Sequence, residues 1–277
     1  MSSTQQQGRL EVITSVNQSS IIPLAENVEF RALISGDLGS QGLSTGIATF
    51  QPDALLPSHV HPVSEVIVPL SGKIHVIVEG RRYVLERYDA LHVPAGLPHW
   101  VHSDLSQQPV SCFVAFASER PARESVQNSF TIKDCAETDS STAEHLTRFE
   151  TASVYELSSG ALFRDLFARR YGSRGICGGY GLFQPDASLP CHIHGFDESI
   201  TIVEGTAVCQ VAGSEYELSD CDTACIPRDR PHRFINRSDR PMAMIWVYAG
   251  DEPDRTVLEQ CCCEESLPVN QACKADR

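Results

Sequence analysis

Ser58-His59-Val60-His61-Pro62-Val63-Ser64-Glu65 gathers three potential metal ligands in one short stretch. Side chains alternate faces along an extended strand, so His59, His61 and Glu65, all at odd positions, are expected to point the same way. A fourth histidine, His99, follows a stretch of short apolar runs with turn residues between them. The set then recurs: His192, His194, Glu198 and His232 follow their counterparts at one constant offset.

Working outward, the repeat extends well beyond the ligands. Phe30-Arg31 matches Phe163-Arg164, Gly39-Ser40 matches Gly172-Ser173, and Phe50-Gln51-Pro52-Asp53-Ala54 matches Phe183-Gln184-Pro185-Asp186-Ala187. Pro57, Gly72, Asp89 and Pro94 find Pro190, Gly205, Asp222 and Pro227 at the same offset. No insertion is needed from Val28 to Ser103, which identifies a duplicated domain. Between them, β-branched and aromatic runs broken by Gly, Pro, Asp and Ser predict strands over 43–50, 58–70, 73–78, 82–85, 90–93 and 110–117. Helical periodicity is nearly absent, so the expected fold is all-β, a barrel or sandwich in each half.

Each copy reads as two motifs. The first is His59-x-His61-x3-Glu65-x6-Gly72, then Pro94-x-Gly96-x2-His99; the second is His192-x-His194-x3-Glu198-x6-Gly205, then Pro227-x-Asp229-x2-His232-x3-Asn236. In this pattern the chain resembles the cupin superfamily, and its two copies resemble a bicupin. The resemblance covers about 28–117 and 161–250. It implies two tandem cupin domains, each a small antiparallel, jelly-roll-like β-barrel with a metal in its mouth held by three His and one Glu. Asp229 stands where the first copy has Gly96, and Ser103 where the second has Asn236. Asp tolerates a left-handed turn, and neither change removes a ligand.

The expected organisation is a flexible N-terminal arm over 1–20, a first domain over 21–120, a linker over 121–150, a second domain over 151–250 and an acidic, Cys-rich tail over 251–277. A short helix is expected in the linker from Ser141. Next to the fourth ligand, Trp100 belongs to an apolar rim and Arg228, Arg230 and Arg233 to a cationic one. Arg228 and Arg233 are candidates to clamp a substrate anion. Phe196 and Ile200 are expected to line the second pocket, as Val63 and Ile67 line the first. Cys191 points away from its neighbour His192, and the remaining histidines, His75, His92, His102 and His145, are read as structural.

At 277 residues, with 42% hydrophobic and 21% charged residues, the chain can bury two ordinary cores. Its formal net charge of −14 argues against phosphate-backbone binding, so nucleic acid is not an expected partner. The polar N-terminus lacks a signal-peptide core and no apolar run is long enough for a membrane span, which predicts a cytoplasmic protein. Eleven cysteines, an odd number without zinc-motif spacing, are expected to be reduced thiols; Cys261-Cys262-Cys263 is read as an incidental tail.

Four protein ligands would leave two open positions on an octahedral ion, and nitrogen and oxygen donors suit Fe(II) or Mn(II), with Zn(II), Ni(II) or Co(II) as alternatives, up to two ions per chain. The leading expectation is a metal-dependent oxidoreductase of dioxygenase type acting on a small, oxygenated, anionic metabolite. The alternatives are a redox-neutral isomerase, decarboxylase or lyase using the ion as a Lewis acid, and a non-catalytic ligand-binding bicupin. Barrel edges add a homodimer to the expected partners.

Overall fold

Short Val-, Ile- and Phe-rich runs interrupted by turn residues build strands. The computed structural model, described over residues 9–105, 108–127 and 129–259, holds little else. Its helical pieces among the described residues are the single 3-10 turns Gly36–Leu38, Phe149–Thr151 and Arg169–Tyr171. None of its helices is long and apolar enough to cross a membrane.

Each half folds as two sheets closed around an apolar interior, antiparallel except where Lys133–Asp134 runs parallel to Arg81–Leu85. In the first half a seven-stranded sheet containing Ser44–Phe50, Glu65–Pro69 and Val110–Phe116 faces a six-stranded sheet containing Leu55–Val60, Ile74–Val78 and His99–Ser103. Val28, Phe50, Val76, Val78, Tyr83 and Leu85 fill the space between them. The second half repeats this with sheets of seven and five strands around Phe163, Phe183, Ile202, Val211 and Phe234. A third core joins the halves: Leu33, Val66 and Phe113 of one seven-stranded sheet pack against Phe167, Ile245 and Val247 of the other.

The expected strand over 58–70 is two strands, Leu55–Val60 and Glu65–Pro69, in different sheets. Pro62, with no N–H to give a ladder, lies where the chain crosses between them. The helix expected from Ser141 is absent. Asp139 Oδ1 instead accepts hydrogen bonds from the Ser141 amide at 2.7 Å and hydroxyl at 2.5 Å, a local turn that competes with helix.

The segments read as arm and linker have matching positions in the fold. Val12–Thr14 pairs with Thr223–Ile226 at the edge of the second half, and His145–Thr147 pairs with Ala90–Val93 at the edge of the first. Val12 and His145, which begin these two strands, are separated by the same offset as the ligand sets, so each half lends its leading strand to the other. Glu11 and Glu144 stand just before these strands in matching roles. Glu11 accepts a hydrogen bond from Tyr216 Oη at 2.8 Å and an ion pair from Arg230; Glu144 accepts from Tyr83 Oη at 2.7 Å and Arg81 Nε at 2.5 Å. Part of the expected tail is also built in, as Thr256–Val257 pairs with His192–Ile193. Cys261 to Cys263 lie outside the described residues, and the seven described cysteines are free thiols.

Candidate metal centres

The two His-Glu sets assemble by strand crossing rather than by alternation along one strand. His59 pairs with His99 across neighbouring strands of one sheet, while Glu65 enters from the facing sheet, where it lies opposite Phe116 and Val93. In the second half His192 pairs with His232, and Glu198 lies opposite Tyr248 and Ile226. In each set of four residues the possible ligand atoms lie within 4.8 Å of one another, and all eight residues are buried. The turn before the fourth histidine has the same form in both copies: Gly96 (φ 80°) and Asp229 (φ 60°) are both left-handed. Their amides donate to the carbonyls of His61 and His194, each at 2.8 Å. Ser103 and Asn236 likewise both donate to a carbonyl where the strands Ser44–Phe50 and Cys177–Phe183 end, that of Gln51 and of Phe183 respectively.

Every histidine of the two sets has its Nδ1 against a backbone carbonyl. His59 meets Pro57 at 2.8 Å, His61 Ala122 at 2.6 Å, His99 Leu97 at 2.9 Å, His192 Pro190 at 2.8 Å and His232 Arg230 at 2.9 Å, while His194 meets Asp254. A carbonyl only accepts, so Nδ1 carries a proton, and in the neutral form of each ring the Nε2 lone pair turns inward. There it meets carboxylate oxygen: Glu65 Oε2 is 2.8 Å from His99 Nε2 and 3.5 Å from His61 Nε2. Glu198 Oε2 is 2.7 Å from His232 Nε2 and 3.3 Å from His194 Nε2. Glu65 Oε2, His99 Nε2, His194 Nε2 and Glu198 Oε2 are sealed from solvent without an aligned hydrogen bond. Lone pairs converging at this distance repel unless positive charge lies among them, so the residues present fit a cation.

The electrostatics favour the ligand form of His59, His192 and the two carboxylates. Burial, reinforced by the charge of His99, pushes His59 down to about 4; burial and His232 push His192 down to about 2. Burial alone would raise Glu65, but facing His61 and His99 hold it at about 2. Glu198 is lowered in the same way by His194 and His232 against the effect of burial. His99, though buried, is raised by Glu65, which marks where positive charge is favoured.

A cavity opens on each centre. The first, of about 420 Å³, is walled by Phe30, Phe50, Ile67, Val114 and Phe116, with His59, His61, Glu65, Arg120 and Arg123 also in its lining. The second, of about 260 Å³, is walled by Phe163, Ile200, Met244 and Trp246, with His192, Glu198, Tyr155, Tyr248 and Arg255 also in its lining. Phe116 lies 4.9 Å from the His61 ring and Tyr248 4.4 Å from the His194 ring, centroid to centroid, so a phenol in one site stands where the other has phenyl. Burial holds the Tyr248 hydroxyl well above its ordinary pKa, and hence protonated.

Ile67 and Ile200 line the cavities as expected. Val63 packs against the first core without lining the cavity, and Phe196 stacks on His194 at 5.6 Å and stands outside the lining of the second. Trp100, Arg228 and Arg233 line neither cavity. Trp100 follows His99 and Arg233 follows His232 on their strands, so alternation turns both away from the ligand face. Arg233 Nε donates to Gln210 Oε1 at 2.7 Å, and Arg228 is 60% exposed with Nε 3.2 Å from Asp229 Oδ2. The cationic residues that reach the cavities are Arg120 and Arg123 in the first and Arg255 in the second; Arg123 and Arg255 lie in segments read from sequence as linker and tail.

Two small double-sheet barrels in tandem, each with a buried three-His, one-Glu set, define the class. Residues 46–116 and 179–248, about half of the chain, match the family model described as Cupin domain. The chain belongs to the cupin family, with one such domain in each half. A curated relative, "Probable germin-like protein subfamily 2 member 5" of Arabidopsis thaliana, is 32% identical over 95 residues, covering 32% of this chain and 44% of the relative. The match thus spans less than half the length of that relative. Among solved structures, oxalate decarboxylase from Bacillus subtilis at pH 4.6 superposes with a TM-score of 0.72 at 15% identity, over 91% of this chain and 79% of that one. The formate complex of Lactobacillus farciminis oxalate decarboxylase gives 0.72 at 15%, over 91% and 89%. At that identity they establish the two-barrel fold.

Proposed function

We propose that the chain is a metal-dependent enzyme with one divalent transition-metal ion in each half, held by His59, His61, Glu65 and His99 and by His192, His194, Glu198 and His232. The observation that carries this is the convergence of Nε2 lone pairs on a buried carboxylate, with each ring oriented by a backbone carbonyl. The donor set suits Fe(II) or Mn(II) first and Zn(II), Ni(II) or Co(II) next. A bound ion would supply a Lewis acid for an oxygenated ligand or, as Fe(II), a place for dioxygen beside it. The chain's own part is to aim the imidazoles through their backbone carbonyls, to keep His59 and His192 neutral, and to exclude water with apolar walls such as Ile67, Phe116, Ile200 and Trp246.

The reaction proposed first is oxidation of a small oxygenated metabolite with dioxygen. A redox-neutral decarboxylation is the second reading, supported by the structural likeness to oxalate decarboxylases. Product formation by the metal-loaded chain with and without oxygen tests the two: oxidation stops under anaerobic conditions, whereas decarboxylation continues. Tight ligand binding with no product under either condition would return the protein to a binding role.

A further inference from the structure

Residues 119–125, Glu-Arg-Pro-Ala-Arg-Glu-Ser, and 251–257, Asp-Glu-Pro-Asp-Arg-Thr-Val, share an acid, a proline and an arginine at the same spacing. Glu119 answers to Asp251, so the offset here is one position shorter than that of the ligand sets. Their contacts match step by step. The carbonyl of Glu119 accepts from Gly36 N at 2.8 Å, and that of Asp251 from Arg169 N at 2.9 Å. The Glu119 carboxylate accepts from Gly42 N at 3.0 Å, and the Asp251 carboxylate from Gly175 N at 2.5 Å. Beyond the proline, the carbonyls of Ala122 and Asp254 receive the Nδ1 protons of His61 and His194. The strap then joins the ligand strand as an extra strand, Ser125 opposite His59 and Val257 opposite His192.

Each strap therefore orients a histidine of its centre and places the very next residue, Arg123 or Arg255, on the wall of that cavity. Among the described residues neither guanidinium is paired with a carboxylate. Arg123 Nη2 donates to the Leu24 carbonyl at 3.0 Å, and the half-buried Arg255 lies near Tyr155 and Tyr248. Nearby arginines are neutralised instead: Arg120 by Asp37 at 2.6 Å and Arg170 by Asp165 at 2.5 Å. Exposed Arg123 and half-buried Arg255 thus each bring a guanidinium without a carboxylate partner to a cavity lining, while Asp37 and Asp165 on the same linings are taken by Arg120 and Arg170; each strap arginine is free to meet an anion from outside the chain. Its planar fork matches a carboxylate.

We propose that Arg123 and Arg255 are equivalent substrate-binding residues, and that each cavity takes a small carboxylate whose anionic group meets the strap arginine while its other end faces the His-Glu centre. The inference rests on the metal reading only for that second end. Oxalate, with neutral oxamide as control, serves as the probe in calorimetric titration of the full chain loaded with Co(II), with metal content measured on the same samples. The expected result is two oxalate sites per chain in the parent and no oxamide binding. Arg123→Gln and Arg255→Gln each weaken one site by tenfold or more, at unchanged metal content. Arg123→Lys and Arg255→Lys, which keep the charge, recover part of the loss. Unchanged affinity in the double glutamine variant, or no oxalate binding by the parent, overturns the proposal. If the parent takes up no metal, the metal reading fails on its own. The same titration on the metal-free chain then decides the arginines: oxalate binding lost in the double variant supports them, and equal binding overturns them.

Discussion

Thr45 Oγ1 and Ser199 Oγ lie 3.1 Å apart, both fully buried, where the two seven-stranded sheets meet between the halves. Around them the interface is apolar, so each hydroxyl has its hydrogen-bonding need met by the other half. Thr45→Val is expected to destabilise the chain by about 1–3 kcal/mol, because it strands the Ser199 hydroxyl. Adding Ser199→Ala should restore a good part of that loss. A double-mutant cycle in urea denaturation checks this; additive losses would show that the two side chains act independently.

A second tie crosses the halves at Asp197, the residue before ligand Glu198. Arg9 grips its carboxylate with Nη1 at 2.6 Å and Nη2 at 2.5 Å, and the amides of Gln41 and Arg228 add bonds at 2.9 and 3.1 Å. Asp197 is only 2% exposed, so losing the fork leaves a buried charge held by two amides. Arg9→Ala should cost about 2 kcal/mol in denaturant unfolding, and Arg9→Lys somewhat less.

Metal content tests the two centres separately. His59→Ala and His192→Ala should each lower the metal bound by about one equivalent per chain, read by elemental analysis after loading and desalting. An unchanged content in either variant would remove that half's centre from the proposal.

Much of this was legible in the sequence, and the misses have physical reasons. The ligand residues stood out because matching chemistry recurs at one offset, and Asp229 could be expected in a left-handed turn, where it is found at φ 60°. The division of 58–70 into two strands was hidden by the apolar run on either side of Pro62. The exchanged strands and the straps keep few identical residues. The offset also shortens by one position between Ser103, which matches Asn236, and Val110, which aligns with Met242, so a search at one spacing passes over Arg123 and Arg255. The outward turn of Trp100 and Arg233 follows from alternation counted from His99 and His232, the same rule that places the first ligands.

His92 offers a pH test that does not involve the ligands. It is 1% exposed, neither ring nitrogen has a hydrogen-bond partner, and burial, with His145 and Arg174 nearby, pushes it down to about 4. A histidine whose pKa is lowered by folding binds its proton more readily in the unfolded chain. Its contribution to stability is thus intact above about 6.5 and is lost as pH falls towards about 4. By that linkage the parent should lose about 2 kcal/mol more than His92→Leu between about pH 7 and pH 5. Urea denaturation of both proteins at the two values measures the difference, and equal losses would refute the account.

The exchange of leading strands fixes the order in which the chain can be completed during synthesis. Leu146 closes against Leu91 after a modest intervening stretch, whereas Ile13 must return to Ala224 across most of the chain. Because loop-closure entropy grows only with the logarithm of length, a return roughly four times longer costs only about 1 kcal/mol more. In time the difference is larger. A chain leaving the ribosome can seal its first barrel as soon as Thr147 is free, but its earliest strand waits for the Thr223–Ile226 partner made near the end. The first strand made is therefore among the last to be placed, and neither barrel can be cut out of the chain without leaving an unpaired edge in the other.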